Sequence, residues 1–407
     1  SYETDELYAE LAVPLVSPDN DIRLMEFAEL NGAFRRIDNT LAGEADVWTV
    51  GLRFAPVQDI SFRANYTESL RAPSLVELFA PLNQTFGFAN DPCDFRYVGD
   101  GPVPSTRAAN CAADIANYDP STFTSNIVNA TAIGRTGGNP NLSNESAESY
   151  AIGMTFEPRW VENLLFTADY INIELTDAIQ ELGLTQLMQS CYDSAGFPNV
   201  GSCSSWTRDA TGQVVDFQTG QANAAFFLYE QLEFGINYDF DVADALGLFS
   251  DTWGARDLGN FETRIRLNHP LDRRVSVVGE PNDNTLGGYS DPDWQGTFDF
   301  VWSGQNSRIF YRLLWSDEAL LDATGNDKFM GVTGGEVIKT DARFISNVTF
   351  SYNLDSFFPG APDRTMIQLA VSNLFEREPD VVQEARGYFG TAELLGRYIT
   401  LTLQGSW

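Results

Sequence analysis

The stretch FFLYEQLEFGINYDF, residues 226–240, decides the fold. One parity of the stretch is apolar apart from Glu230, and its members are Phe226, Leu228, Leu232, Phe234, Ile236, Tyr238 and Phe240. Alternation of this kind predicts a β-strand with one apolar face. Because a strand rises about 3.3 Å per residue, roughly ten tilted residues cross the apolar layer of a membrane. The length of the pattern therefore favours a membrane-spanning strand over a strand of a soluble sandwich.

The same alternation recurs along the whole chain. The sequence predicts thirteen strands, at 5–16, 21–37, 46–55, 60–69, 146–157, 163–175, 225–240, 260–268, 294–303, 307–316, 341–353, 365–373 and 396–407. Aromatic residues, 13% of the chain, often stand near the strand ends. Amphipathic rings are favoured at headgroup depth, so this placement is typical of the aromatic girdles of a transmembrane barrel.

The connections alternate between short turns and long polar loops. Short turns are predicted at 17–21, 55–59, 157–163 and 303–307, with a short helix inside a longer connection at 242–249. Long loops are predicted at about 70–145, 176–224, 269–293, 317–340 and 374–395. Outer-membrane barrels combine short periplasmic turns with long extracellular loops. We therefore expect residues 1–407 to form one all-β unit, a transmembrane antiparallel β-barrel with its C-terminus in the periplasm.

The odd number of strands has a further implication. Bacterial single-chain barrels have an even number of strands. An open sheet would also leave edge backbone groups unpaired in lipid, where no water can satisfy them. We expect the chain to be the C-terminal portion of a larger barrel.

Composition and motifs restrict the function. A formal net charge of −32 excludes nucleic acid as a partner, since phosphates require a basic surface. His269 is the only histidine, no GxSxG motif occurs, and the neighbouring Asp317 and Glu318 point to opposite sides of a strand. Catalysis is therefore not expected. The Asp- and Asn-rich stretch 279–294 lacks the spacing of a calcium loop, so it predicts solvated turns, and no metal or cofactor is expected.

Four cysteines form two local pairs within polar, glycine-rich segments. The spacing is not CxxC, and with one histidine in the chain a zinc site lacks ligands. We expect disulfides Cys93–Cys111 and Cys191–Cys203 that staple two long loops in an oxidising compartment. The alternative is a set of unpaired buried thiols.

The same loops carry the candidate ligand-binding residues. Phe88, Arg96 and Tyr97 combine rings with a guanidinium group in one loop, and Trp206 and Arg208 do so in the next. Such groups stack on sugars or on aromatic siderophores. The alternative is that the rings pack the loops themselves. The sequence leaves open whether the ligand is a glycan, a siderophore, a cobalamin-like cofactor or a peptide.

Four motifs, taken in order, resemble the landmarks of TonB-dependent outer-membrane receptors. They are YTESLRAPSLVELF (66–79), GGNPNLSNESAESYAIGMTFEP (137–158), AVSNLFEREP (370–379) and the terminal GRYITLTL (396–403), which leads to a final aromatic residue. The family-motif residues are Arg71, Pro73, Asn373, Phe375 and Trp407. The cysteine-bearing stretches look like a subgroup of these receptors from Gram-negative bacteria. Pro73 cannot donate to a strand ladder, so we expect the strand before it to end at the outer rim, with Arg71 as a loop-organising donor or interfacial anchor rather than a ligand contact.

The resemblance implies an energised transport protein. It is a 22-stranded barrel closed by an N-terminal plug, which binds a scarce nutrient outside and imports it with energy from the inner-membrane TonB complex. The sequence carries neither the plug nor the segment that contacts TonB. The partners implied are outer-membrane lipid, the plug with the remaining strands, the TonB complex and a small nutrient ligand. The alternative is a passive pore or a surface-binding barrel without energy coupling.

Overall fold

A computed structural model describes residues 2–247, 257–278, 283–284, 286–288, 291–320, 339–354, 365–378, 380–382, 387–389 and 396–405. The strands are β1 Thr4–Val16, β2 Phe27–Asn39, β3 Gly43–Val57, β4 Ile60–Arg71, β5 Asn83–Gly87, β6 Ala132–Gly137, β7 Glu145–Phe156, β8 Leu164–Leu182, β9 Trp206–Arg208, β10 Val214–Asp241, β11 Asn260–Val277, β12 Asp283–Asn284, β13 Gln295–Ser303, β14 Ser307–Ser316, β15 Ala319–Leu320, β16 Lys339–Thr340, β17 Arg343–Asn353, β18 Met366–Ser372, β19 Asp380–Val382, β20 Gly387–Phe389 and β21 Tyr398–Gln404. The α-helices are α1 Leu75–Phe79, α2 Pro104–Asp114, α3 Leu184–Tyr192 and α4 Val242–Gly247, and the 3₁₀ helices are Pro18–Asn20, Asn126–Val128 and Gly201–Ser204.

Thirteen of the described strands form one antiparallel ladder in which each strand pairs with the next. Their order is β1, β2, β3, β4, β7, β8, β10, β11, β13, β14, β17, β18 and β21. These are the thirteen predicted strands in sequence order, so the prediction of an antiparallel all-β fold is confirmed. Among the described residues β1 pairs only with β2 and β21 only with β18, and the sheet is therefore open.

The register of the ladder places the predicted apolar residues on one face. Ile236 lies opposite Phe166 on one side and Ile265 on the other, and Ile265 in turn lies opposite Phe298. The row continues to Leu313 of β14. A β-bulge between Glu230 and Gln231 marks the place where the apolar parity of β10 is broken. We call this side of the sheet the apolar face.

The opposite side, the polar face, carries charged pairs between residues of different strands. Arg63 of β4 donates to Asp169 of β8 at 2.6 Å, and Arg312 of β14 donates to Asp299 of β13 at 2.7 and 2.8 Å. Glu6 of β1 pairs with Arg35 of β2. One apolar and one polar face are what a barrel with lipid outside and a polar lumen requires.

Several strand ends differ from the prediction. β8 continues to Leu182, β11 continues to Val277, and β10 begins at Val214 rather than at 225. The added residues of β10, 214–224, lack a regular two-residue apolar period and contain Gly220, so their sequence is weak for a strand. They are held by pairing with β9, with β6 and with Leu182 of β8. β2 starts at Phe27 rather than at 21, because Asp21 and Leu24 have φ values of 48° and 60°, which a strand does not accommodate.

The two ends of the ladder differ in their connections. The turns at 58–59 and 304–306 are short, and the predicted helix in the 241–259 connection is present as α4. The other end, which we call the long-loop rim, carries residues 72–144 and 183–213. Among the described residues, no helix combines the length and the apolar character that crossing a membrane requires.

Candidate ligand-binding loops

The two long connections fold together on the rim. We call residues 72–144 and 183–213 the loop module. One buried apolar cluster draws on both connections and on the adjoining strand ends, and it comprises Ala89, Cys93, Cys111, Ile115, Ile127, Leu182, Leu184, Leu187, Met188, Cys191, Tyr192, Trp206, Val214, Phe217 and Ala224. Burial of apolar surface therefore stabilises the loops as a unit.

Both predicted disulfides are present. Cys93–Cys111 joins the start of the first connection to α2, with a Cα–Cα distance of 5.5 Å. Cys191–Cys203 joins the end of α3 to the 3₁₀ helix Gly201–Ser204, with a Cα–Cα distance of 5.1 Å. Three of the four half-cystines, all but Cys203, are fully buried in the apolar cluster.

Buried ion pairs hold one connection against the other. Arg208 of the second connection donates from Nη1 and Nη2 to both carboxylate oxygens of Asp91 of the first, each at 2.8 Å. In the opposite direction Arg107 of α2 donates to both oxygens of Asp193 at 2.6 Å. Bidentate pairs of this kind are strong and geometrically specific. The module therefore has two charged links in addition to its apolar core.

Asp91 and Asp94 are fully buried carboxylates that order the segment around Cys93. Asp91 accepts from the hydroxyl of Ser125 at 2.6 Å and Asp94 from the backbone N–H of Ser125 at 2.8 Å. Burial acts to raise the pKa of Asp94, but hydrogen bonds from the Arg96 guanidinium and from Ser125 lower that pKa overall. Hydrogen bonds thus fix the side chains of both residues.

Tyr192 and Tyr118 connect rings to this polar network. Tyr192 is fully buried, donates to Asp114, and accepts from Arg208 Nε at 2.9 Å. Tyr118 donates to the carbonyl oxygen of Cys93 at 2.8 Å, and burial raises the pKa of Tyr118 to about 12. Sequence reasoning missed the buried acids as organising residues. The only available signal was the position of the acids beside Cys93 in NDPCDF.

The antiparallel pair of β5 and β6 forms an outer wall of the module. Its inner face lies on the buried ring of Phe217, so closely that a Cβ atom at Gly134 would meet that ring at 2.5 Å. On its outer face Phe86 lies opposite Ile133, and both side chains are exposed. The glycine thus allows β6 to approach the core ring while the apolar residues beside it stay at the surface.

The predicted ligand-binding residues separate into two environments. Phe88 is 61% exposed, Arg96 is exposed and half-buried Tyr97 follows it, with the Arg96 guanidinium 5.8 Å from the Tyr97 ring centre. In contrast, Trp206 is 8% exposed and the Arg208 side chain 6% exposed, both within the module. Rings thus pack the second connection, whereas the first presents them to solvent. Ligand contact by these residues stays a prediction.

A cavity of about 360 Å³ lies beside the second disulfide. We call it the loop cavity, and the lining residues that matter below are Asp114, Phe197, Asn199, Trp206 and Arg208. Two of the five predicted ligand-binding residues, Trp206 and Arg208, therefore share one cavity. Tyr192, packed behind it, lies 5.7 Å from Phe197 and 5.6 Å from Trp206 between ring centres.

Arg71, the last residue of β4, forms a clamp at the rim. It donates to Glu145 of β7 at 2.5 and 2.7 Å and to Glu77 of α1 at 3.0 and 3.1 Å. Glu145 also accepts from the backbone N–H of Ile179 in β8 at 2.7 Å. Arg71 thus joins β4, α1, β7 and β8, which is the role of a loop-organising donor. Pro73 lies two residues after Arg71, in the segment between β4 and α1.

Two further family-motif residues, Asn373 and Phe375, follow β18, which pairs with the edge strand β21. Asn373 is buried, has a φ of 50°, accepts from Arg377 N–H at 2.8 Å and donates to the Arg377 carbonyl at 2.8 Å. The side chain of Phe375 is exposed. Trp407 lies outside the described residues. Asn373 therefore closes the turn that ends β18.

The residues considered for other chemistry stand apart from the module. The ring of His269 stacks on Trp294 with 4.3 Å between ring centres, and its Nδ1 lies 2.6 Å from the carbonyl oxygen of Asp293. Within the part of the chain that the structure describes, no group of three or more His, Cys, Asp or Glu side chains is placed to hold a metal ion.

Comparison with known proteins gives the following matches. A family model described as TonB dependent receptor-like, beta-barrel matches residues 2–374. A mutant of the ferric enterobactin receptor PfeA from Pseudomonas aeruginosa, in complex with enterobactin, aligns with a TM-score of 0.57 at 12% identity, over 99% of this chain and 45% of that chain. The siderophore receptor PirA from Acinetobacter baumannii aligns with a TM-score of 0.53 at 12% identity, over 92% of this chain and 42% of that one. No curated protein matches. The chain therefore spans less than half of these structures, and the likeness to them is one of fold.

Proposed function

Since the chain belongs to the TonB-dependent receptor-like β-barrel family, we propose that it forms part of an outer-membrane receptor that binds a scarce nutrient and imports it with TonB-transmitted energy. The family implies the outer membrane of a Gram-negative bacterium, and the matched structures are receptors rather than enzymes. The observation that carries the proposal is the thirteen-strand antiparallel ladder, with a folded loop module on one rim, over a region that the family model matches.

The loop module is the proposed outer surface for the ligand. Loops on a rigid scaffold carry specificity, and a loop that is ordered before binding loses less entropy when the ligand arrives. Phe88, Arg96 and Tyr97 are the proposed contacts because they reach solvent. Asp91 and the buried Arg208 support the module from inside. In this proposal the long-loop rim lies outside the cell and the end of β21 lies in the periplasm.

The proposed partners follow from the two faces and the open sheet. The apolar face suits lipid, and the charged pairs of the polar face suit a plug inside a lumen. Among the described residues the outer edges of β1 and β21 carry unpaired backbone groups. These edges need partner strands in lipid, which the proposed remaining strands of a closed barrel supply. A TonB complex of the inner membrane is the further proposed partner, which supplies the energy for import.

Growth and uptake assays on the full-length gene test this function. Deletion of the gene is expected to abolish growth on one nutrient of a panel of scarce iron, sugar, cobalamin and peptide sources, and deletion of TonB is expected to abolish the same uptake. Uptake that persists at the normal rate without TonB would contradict the importer and favour a passive pore. Immunoblots of outer-membrane fractions check that the receptor level is equal in the wild-type strain and in the strain that lacks TonB.

Contact by the exposed residues is tested separately. Phe88→Ala and Arg96→Ala are each expected to weaken uptake of that nutrient by about tenfold, as for central residues of an interface. Trp160→Ala is the matched control, because Trp160 is an exposed ring in the 157–163 turn at the opposite rim. Equal loss in all three variants would contradict a contact at Phe88 and Arg96.

A further inference from the structure

The loop cavity has a chemical character that the fold alone does not dictate. Its volume of about 360 Å³ lies near the lower end of the range for small-molecule sites, about 300–1,000 Å³. It is lined by aromatic and polar side chains, including Phe197, Trp206, Asn199 and Asp114. A cavity of this size suits a ligand of one or two rings.

The charges of the module do not favour an anionic ligand. Residues 72–144 and 183–213 contain eight Asp and Glu residues against four arginines and no lysine. Each arginine is already ion-paired, in the pairs Arg96–Asp94, Arg107–Asp193, Arg135–Asp216 and Arg208–Asp91. An anion entering the cavity would meet the Asp114 carboxylate without gaining an unpaired cation in return. Phosphate, carboxylate or an anionic chelate is thus poorly matched to this site.

A cationic ligand is also disfavoured. The guanidinium of Arg208 lies in the wall of the cavity, with Nε 3.3 Å from Asp114 Oδ2. The same carboxylate accepts from the hydroxyl of Tyr192. A second cation beside Asp114 would therefore lie next to a buried positive charge, and like charges at short range repel.

The polar groups that line the cavity suit hydrogen bonding to a neutral ligand. Trp206 lines the cavity, and its Nε1–H donates to no acceptor among the described residues. This N–H group is accessible to solvent. Asp114 is 37% exposed, and within the same part of the chain its Oδ1 receives no hydrogen bond. Asn199 adds an exposed side-chain amide, which has both a donor and an acceptor. Donors and acceptors beside the rings of Trp206 and Phe197 fit a ring that carries hydroxyl groups.

We propose that the loop cavity binds a neutral hydroxylated ring of the carbohydrate class, such as a monosaccharide or a disaccharide. The sugar stacks on aromatic surface, accepts from Trp206 Nε1 and donates a hydroxyl hydrogen to Asp114 Oδ1. This inference rests on the proposed outward placement of the loop module, and it adds a site and a ligand class to the receptor.

The direct test is binding of sugars to the full-length receptor purified in detergent. The probes are neutral mono- and disaccharides, each compared with its amino-sugar and uronic-acid counterparts, with saturation-transfer NMR and tryptophan fluorescence as readouts. At least one neutral sugar is expected to bind more tightly than both charged counterparts. Equal or tighter binding of a charged counterpart, or no binding by any sugar of the panel, overturns the proposal.

Two variants assign the binding to the cavity. Asp114→Asn keeps the size of the side chain and replaces the charged acceptor by a neutral amide, and Trp206→Phe keeps an aromatic ring and removes the indole N–H, so each is expected to weaken sugar binding by roughly threefold to tenfold. Asp100→Asn and Trp160→Phe are matched controls at exposed positions outside the cavity lining, and they are expected to bind normally. Normal binding by both cavity variants overturns the assignment. If Trp206→Phe does not fold, Asp114→Asn decides, because Asp114 is partly exposed.

The two proposals fail in different ways. TonB-dependent uptake by a receptor that binds no sugar overturns only the carbohydrate site. Sugar binding that Asp114→Asn weakens, combined with uptake that ignores TonB, overturns only the energised importer. Sugar binding in detergent requires no energy coupling, so each measurement addresses one proposal.

Discussion

At the scale of single residues, Arg71 shows how one side chain organises the rim. Its guanidinium holds Glu145 of the ladder and Glu77 of α1 at the same time. The α1 helix has only five residues and would not be stable alone. Ser74 caps it by accepting from Glu77 N–H at 3.2 Å, while the Glu77 carboxylate accepts from Ser74 N–H at 2.7 Å. The clamp thus fixes a helix that the capping box begins.

Replacement of Arg71 tests the clamp. Arg71→Ala is expected to free α1 and to destabilise its docking by about 1–2 kcal/mol, a value reduced for the partial exposure of the guanidinium. Hydrogen exchange of the Leu78 and Ala80 amides in full-length receptor measures the change. Arg135→Ala removes a more exposed pair with Asp216, and no measurable change at α1 is expected. Unchanged exchange in Arg71→Ala would show that the capping box suffices.

The same clamp predicts a pH dependence. Hydrogen bonding from Arg71 lowers the pKa of Glu77, burial opposes the shift, and the N–H of Ser74 adds to the lowering. A carboxyl with a depressed folded pKa stabilises the fold above its unfolded pKa, about 4.3, and loses that contribution as the pH falls through the folded pKa. Protection of the α1 amides, corrected for intrinsic exchange, should therefore fall between about pH 5 and pH 3. Arg71→Ala should lose most of this pH dependence. An identical pH profile in that variant would show that the contact between Arg71 and Glu77 does not cause it.

At the scale of elements, the loop module behaves as a small domain built from two connections. Its apolar cluster contains residues of both, and its two buried ion pairs cross between them. Each disulfide closes a loop within one connection, of 18 and 12 residues in sequence separation. The disulfides therefore order each connection, whereas the apolar core and the ion pairs join the two.

Removal of one disulfide should loosen the whole module. Closing a loop of 18 residues restricts the unfolded chain by about 3 kcal/mol in the chain-entropy view. Cys93→Ala with Cys111→Ala is expected to make both connections sensitive to protease, since they share one core. The ladder should keep its heat-resistant mobility on gels because the backbone hydrogen bonds that join its thirteen strands to one another do not involve these loops. Cleavage confined to the first connection would contradict a shared core.

At the scale of the whole molecule, the two faces of the ladder have opposite tolerance for charge. Ile236 and Asn237 are neighbours on β10 but belong to opposite faces, with Ile265 and Arg264 as their partners on β11. Ile236→Arg places a charge on the apolar face and is expected to cost about 2–4 kcal/mol near the membrane midplane. Asn237→Arg, on the polar face, is the matched control and should fold normally. The yield of heat-modifiable receptor in outer membranes measures both, and equal yields would contradict the assignment of faces.

Most of the ladder was predictable, because a strand with one apolar face has apolar residues at every second position of the sequence. The thirteen predicted strands agree with the ladder, and Ile236, Ile265 and Phe298 lie in one row as their parity requires. The extensions of β8, β10 and β11 beyond their predicted bounds were not predictable. Residues 218–223 of β10 pair with β6 and β8, and such partners cannot be read from a local pattern.

The sequence by itself determined the antiparallel all-β class, the polarity of the two faces and the two disulfides, since periodicity and cysteine spacing are local properties. Only the tertiary structure decided the roles of the predicted loop residues. Arg96 reaches solvent beside Tyr97, whereas Arg208 is buried against Asp91, which lies 117 positions earlier in the chain. The physical reason is that a buried ion pair depends on a partner brought close by folding, and no spacing in the sequence records which aspartate that is.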